Sequence, residues 1–279
     1  MRDLNDKRVF LTGAGHGLGR EMALAFAAAG AQVVVTDRAA DRVEQTVEAV
    51  RHAGGRAVGY PLDITDNGMI GDVRRRLLAE HGPPDLLINN AGIAHGGAFL
   101  GVPLEQHHAT YRVNLLGPVA VTHAFLPDLI ARPQAHLVNI ASASGLIALP
   151  YATTYASSKW GVIGFTESIR EELRLLGHRH VSVTVVCPSY IDTGMAAGVR
   201  VPLLSNMLRS EQVARLVLGA VRRRREVVLT PWLVKITPFS RGVLPPSWFR
   251  RTCDWLGITG SMRTWYGHNE EGKPRPEVP

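Results

Sequence analysis

Thr12-Gly13-Ala14-Gly15-His16-Gly17-Leu18-Gly19 is the stretch whose reading decides the architecture, because of what stands on either side of it. Residues 8–11 before it are a short apolar run, and residues 19–29 after it carry helical apolar spacing. Glycines between a strand and a helix permit a tight turn, close approach of a pyrophosphate to the backbone, and close packing of helix on strand. The helix N-terminus adds unpaired N–H groups and a dipole that favours an anion. A glycine-rich run alone could be a flexible loop; the strand–turn–helix context argues for a dinucleotide site. Asp37 follows the second apolar run, about 18 residues past Gly19, where an acidic side chain can hold both hydroxyls of a ribose. The same carboxylate repels a 2′-phosphate, so NAD is expected over NADP. Arg38 next to it and His16 inside the loop pull weakly the other way.

Outward from this stretch, apolar runs and amphipathic segments alternate. Residues 8–11, 32–36, 56–62, 85–89, 136–141, 181–187 and 227–229 read as strands. Their nearly continuous apolar character suits strands buried on both faces. Residues 19–29, 41–53, 66–80, 104–130, 151–176 and 210–225 read as helices. The alternation predicts an α/β fold, a doubly wound parallel sheet of Rossmann type, with its ligand crevice at the carboxyl ends of the strands. The expected organisation is one domain over residues 1–229 and a C-terminal extension over 230–279. The extension contains Pro231, Pro238, Pro245 and Pro246, expected to break any long helix, and a polar end at 270–279 expected to fray.

Composition narrows the class. With 279 residues, 46% hydrophobic and 20% charged, the chain has the profile of a globular protein with a substantial core. Cys187 and Cys253 form neither a disulfide framework nor a metal-ligand spacing, and no metal is expected. The polar residues 1–7 do not read as a signal peptide, and no run of 18 apolar residues is evident, so cytoplasmic residence is the expectation. The net charge of +7 is unevenly distributed: residues 222–279 hold eleven Lys/Arg against five Asp/Glu, and four of the five tryptophans. Charge confined to one terminal segment argues against a nucleic-acid partner. Two uses of that segment stay open. One is a lid or oligomer contact. The other is a peripheral membrane contact, since Trp with Lys/Arg suits a lipid interface.

A second constellation carries the chemistry. Tyr155 and Lys159 are four residues apart, so in a helix they share a face, and Ser142 lies thirteen residues before Tyr155. A tyrosine with an ordinary pKa near ~10 is a poor base at neutral pH, and lowering it by roughly three units takes about 4 kcal/mol. One cation at ~4 Å supplies on the order of 4 kcal/mol at an effective dielectric near 20. Fixed beside Lys159, Tyr155 would therefore serve as general acid and base, with Ser142 donating to an oxygen that gains charge.

Taken together, the chain resembles the short-chain dehydrogenase/reductase family over residue 7 to about 229. The motifs, in order, are the Thr12–Gly19 run, Asp63 after the third strand, Asn89-Asn90-Ala91-Gly92, Asn114, Ser142, Tyr155 with Lys159, and Cys187-Pro188 followed by Thr193. The resemblance implies reversible hydride transfer between a nicotinamide and a carbinol or carbonyl carbon. It makes Asn114, Ser142, Tyr155 and Lys159 catalytic, Asn114 by holding a water that passes protons through Lys159. It implies that Gly13, Gly15, His16, Gly17, Leu18 and Gly19 cradle the dinucleotide. Asp63 would contact the adenine, with Ile64 beside it, and Asn90, Ala91 and Gly92 would shape the adenosine side. Thr193 would bind the carboxamide near Pro188, while Tyr155 and Lys159 would also touch the cofactor. It also implies a homodimer or homotetramer. The family usually has Pro-Gly after the sixth strand; Pro188-Ser189 here puts the path of residues 190–193 in doubt, because serine takes glycine's unusual angles only at a cost.

Residues 93–96, 144–151 and 190–200 are expected to line the substrate side. Leu146, Ile147, Leu149, Tyr151, Tyr190 and Met195 would make it apolar, which suits a lipophilic alcohol or carbonyl compound. The alternative is a nucleotide-binding regulator of the same fold without turnover; such a protein has no chemical need for the Asn114, Ser142, Tyr155 and Lys159 set.

Overall fold

The structure is a computed structural model that describes residues 1–265; the stretch 270–279, expected to fray, lies outside the described residues. Seven strands build the sheet: β1 (Arg8–Thr12), β2 (Gln32–Asp37), β3 (Arg56–Pro61), β4 (Leu86–Asn89), β5 (Ala135–Ile140), β6 (Val181–Pro188) and β7 (Val227–Thr230). All neighbours pair in parallel, in the order β3-β2-β1-β4-β5-β6-β7. Between them run α1 (Gly17–Ala28), α2 (Ala40–His52), α3 (Asn67–Glu80), α4 (Leu104–Tyr111), α5 (Gly117–Ile130), α6 (Thr153–Leu175) and α7 (Ser210–Arg223). This is the doubly wound sheet expected from the alternation.

The two-residue period of a strand explains why both sheet faces are covered. Val9 and Leu11 of β1, Val33 and Val35 of β2, and Leu86 and Ile88 of β4 point into a core shared with α1, α2 and α7. Phe10, Val34 and Leu87, one position out of step, point into a second core with α3, α5 and α6. There Phe10 meets Phe125 with ring centroids 4.4 Å apart. The strand order reverses between β1 and β4, and the resulting switch point opens a crevice at the carboxyl ends of the strands.

Three expectations change. The single helix expected over 104–130 is interrupted: α4 and α5 are joined by a π-turn, Arg112–Leu116, which carries Asn114 at its centre. By length and composition Leu104–Ile130, with a mean hydropathy of 1.3 in its most apolar window, is long and apolar enough to cross a membrane, contrary to the reading that no segment was. Within the fold, its Val121, Phe125 and Leu129 pack in the second core instead. Nor does every proline of the extension break a helix. Two helices follow β7, α8 (Trp232–Val243) and α9 (Pro246–Trp255), and Pro238 sits inside α8. Pro245 and Pro246 mark the break between them, Pro246 at the first turn where its missing N–H costs nothing.

Candidate active site

The glycine loop closes against its neighbours so tightly that side chains are excluded. A Cβ on Gly13, whose φ is +62°, would lie 2.6 Å from the Ala91 Cα; one on Gly19 would lie 2.0 Å from the Gly13 carbonyl oxygen. Asn90 braces the turn, donating to the Thr12 and Gly13 carbonyls at 3.0 Å each, while the Thr12 hydroxyl accepts from the Asn90 and Ala91 amides. No side chain caps the N-terminus of α1 and no acidic residue lies in its first turn, so its N–H groups and dipole stay available to an anion. A bare cradle, an uncapped helix start and Asp37 at the end of β2 fit a dinucleotide.

Asp37 is held by its surroundings. The Gly15 and Ala39 amides each donate to it at 3.1 Å, and His16 Nδ1 is 3.8 Å away. Burial would raise its carboxyl; the nearby His16 and the two backbone amides outweigh that and hold it below the ordinary carboxylate range. The carboxylate is thus charged throughout the neutral range. Arg38 and Arg42 line the crevice beside it. Arg42 is a crevice residue the sequence reading passed over; its place in the first turn of α2, four residues after Arg38, was the only available signal.

At the other end, Tyr155, Ser142 and Lys159 converge. Ser142 stands beside the Tyr155 hydroxyl; its Oγ accepts from the Ser144 amide at 3.2 Å and donates to the Pro188 carbonyl at 3.5 Å. Lys159 Nζ donates to the Ile140 carbonyl at 2.9 Å and lies 5.8 Å from the centroid of the Tyr155 ring. Tyr155 is half-buried at the crevice, with protein packed closely around its side chain. That burial pushes the phenol above its ordinary pKa, and the neighbouring Ser142 hydroxyl offsets it only in part. The expectation that Lys159 by itself brings the phenol down therefore needs correcting. Burial also pulls the Lys159 ammonium down, to about 8, against the opposing influence of Cys187.

Asn114 is fully buried behind this group. Its Oδ1 accepts from the Ile93 amide at 2.8 Å, and its Nδ2 donates to the Ile93 carbonyl at 2.9 Å and to Ser158 Oγ at 3.1 Å. Both amide donors are used up, so the side chain clamps the loop after β4 rather than offering a donor to water. A Cβ on Gly92 would meet Asn114 Oδ1 at 3.3 Å and Lys159 Nζ at 3.5 Å, which ties the three positions together. Asn89, within the same motif, instead joins a buried ladder, donating to Thr122 and Asn139, with Asn139 donating to Thr166.

The crevice, about 1040 Å³, is lined by the remaining predicted positions, His16, Gly17, Leu18, Asp63, Ile64, Pro188 and Thr193 among them; Gly15 and Asn114 sit behind its wall. Asp63 accepts from the Thr65 amide and hydroxyl, so it also shapes its own turn. Ser189 does not adopt a positive φ, so the departure from Pro-Gly carries no backbone strain. On the apolar side Ile147, Leu149, Tyr190 and Met195 line the crevice as expected and Leu146 and Tyr151 do not, while the extension forms a further part of the wall: Leu233, Phe249, Leu256, Ile258, Met262 and Trp265 face the crevice. Trp265 donates from Nε1 to the Met195 carbonyl at 2.7 Å, and its ring lies 6.1 Å from that of Tyr155. Tyr190 is hydrogen-bonded to Ser261 at 2.8 Å, and Arg241 stacks 3.9 Å above Trp160. Among the described residues, no group of three His, Cys, Asp or Glu side chains could hold a metal ion.

The sequence model for short chain dehydrogenase matches residues 7–202. A ketoacyl reductase, HetN, from Nostoc sp. (strain PCC 7120) is 34% identical over 267 residues, 92% of each chain. Epidermal retinol dehydrogenase 2 of Homo sapiens is 33% identical over 257 residues, covering 91% of this chain and 83% of that one. Among solved structures, a short chain dehydrogenase/reductase from Burkholderia phymatum in complex with NAD superposes with a TM-score of 0.80 at 27% identity, over 87% of this chain and 95% of the other.

Proposed function

The chain belongs to the short-chain dehydrogenase/reductase family and is an oxidoreductase, and from that premise we propose that it interconverts a lipophilic alcohol and its carbonyl compound using NAD. The observation that carries the reading is the meeting of the Tyr155 hydroxyl, Ser142 and the Lys159 ammonium at one end of a crevice whose other end is the glycine cradle. In oxidation, Tyr155 Oη takes the proton of the substrate hydroxyl while Ser142 hydrogen-bonds the same oxygen and orients it. In reduction, Tyr155 returns that proton to the carbonyl oxygen. Lys159 favours the phenolate over the phenol and anchors to the Ile140 carbonyl, which keeps its charge beside the ring. Asn114 acts by holding Ile93 and Ser158 in place. When bound, the nicotinamide supplies the hydride acceptor in oxidation and the donor in reduction. Asp37 would hold the adenosine ribose, with Asp63 and Ile64 near the base and Thr193 near the nicotinamide.

The apolar wall, and a ketoacyl reductase and a retinol dehydrogenase among the relatives, support a substrate with a large apolar body. The enzyme would work in the cytoplasm as a homodimer or homotetramer. A screen of hydrophobic secondary alcohols with NAD and NADP, read by absorbance of the reduced cofactor, tests the reading. Turnover with NAD preferred at least about tenfold is expected; tight dinucleotide binding without turnover of any alcohol or ketone would return the protein to the regulator class. Asp37→Ser, which leaves Arg38 and Arg42 at the same mouth, is expected to swing the NAD/NADP ratio of kcat/KM toward NADP by about a hundredfold. An unchanged ratio would remove Asp37 from cofactor selection.

A further inference from the structure

The outward faces of α8 and α9 carry apolar surface that no described residue covers. Along α8, Trp232, Ile236, Phe239 and Val243 are spaced by four, three and four residues, so they share one stripe, and all four are exposed. On α9, Trp248 and Trp255 are seven apart and share a face in the same way. Phe239 is 73% exposed and Trp255 71%, values at odds with a core or lid role for these side chains. Exposed Lys235, Arg250 and Arg251 accompany the stripes, against a single acidic residue, Asp254, on the two helices. The opposite faces of the same helices, with Leu233, Thr237, Ser240 and Phe249, line the crevice, and Ile236 belongs to both. Only one layer of helix thus separates the substrate side of the crevice from this surface.

We infer that the α8–α9 face docks on an anionic lipid bilayer, and that lipophilic substrate enters the crevice from the lipid between these helices. The docking stands on its own; the entry route rests on the function proposed above. Charge decides the occupant. A second copy related by a two-fold axis would set Lys235, Arg250 and Arg251 against their own counterparts, whereas an anionic headgroup layer complements them. Tryptophans beside basic residues suit the boundary between headgroups and acyl chains. The Arg222–Arg225 run takes no part: β7 runs from it toward the crevice, so it lies at the opposite end of the sheet.

Sedimentation of the full chain with phosphatidylglycerol/phosphatidylcholine vesicles, and with phosphatidylcholine alone, tests the inference without any turnover. Binding to the anionic vesicles that is about tenfold weaker on neutral ones and is released by salt is expected. A Trp232→Ser/Phe239→Ser variant should lose at least about tenfold in vesicle affinity, with NAD affinity and thermal midpoint unchanged as the check that it folds. No sedimentation of the wild type, or vesicle affinity untouched in the double variant, would overturn the proposal. So would a concentration-dependent dimer that the same variant abolishes, which would give the face to a second copy. If vesicles bind but no alcohol turns over, the docking survives and the reaction does not.

Discussion

Tyr155→Phe is expected to lower kcat/KM for alcohol oxidation by about a thousandfold or more while NAD affinity stays within about threefold of the wild type. The substitution removes one oxygen and leaves the ring, so the contact with Trp265 persists and the crevice keeps its shape. A thousandfold is about 4 kcal/mol of transition-state stabilisation, within the range of a positioned acid/base. The pH profile is the sharper readout. Because burial raises the Tyr155 phenol, the phenolate needed in oxidation is scarce at neutral pH, and the oxidation rate should climb as pH rises above 7. Reduction, which uses the protonated phenol, should stay level over the same neutral range. The Phe variant should show neither the rate nor the alkaline rise. Full activity in that variant, measured by cofactor absorbance with NAD binding followed separately by calorimetry, would end the assignment.

Gly19→Ala is expected to weaken NAD binding by at least about a hundredfold and to lower the thermal midpoint, because its Cβ would fall 2.0 Å from the Gly13 carbonyl oxygen and 2.8 Å from Asn90 Nδ2. The obstructing atom is backbone and cannot swing aside. Relief requires opening the turn at Gly13, whose φ of +62° is cheap only for glycine, and breaking the two hydrogen bonds Asn90 makes across it. Overpacking of this kind costs about 1–3 kcal/mol before any loss of ligand contacts. Gly164→Ala in α6, where an added Cβ meets nothing within 4 Å, is the control. It should bind NAD normally and gain up to about 1 kcal/mol from better helix propensity. Equal NAD affinity in Gly19→Ala and the control would refute the cradle.

Much of this was legible because parallel α/β folds write their plan locally. Strands buried on both faces are short apolar runs, and the helices between them keep their own period, so the element limits agree with the expected ones to within two residues for most of the chain. What escaped was whatever depends on a balance or a distant partner. The π-turn at Arg112–Leu116 inserts itself into a continuous helical pattern; only the fit of Asn114 against Ile93 and Ser158 requires it. The direction of the Tyr155 shift is set by how far burial outweighs the influence of Ser142, and burial is not visible in the spacing of residues along the chain.

By itself, the order of residues determined the sheet, the glycine cradle and the crevice end where Ser142, Tyr155 and Lys159 meet, because strand ends in this topology bring those positions to one edge whatever else the chain does. Only the tertiary structure decided which tryptophans of the basic extension face the crevice and which face outward. Trp265 turns inward because the Met195 carbonyl, 70 residues away in sequence, accepts from its indole, while Trp232 and Trp255 remain outside. The same residue type goes to opposite places, since burial of an indole is settled by a hydrogen-bond partner and a cavity, and contacts that distant leave no local trace in sequence.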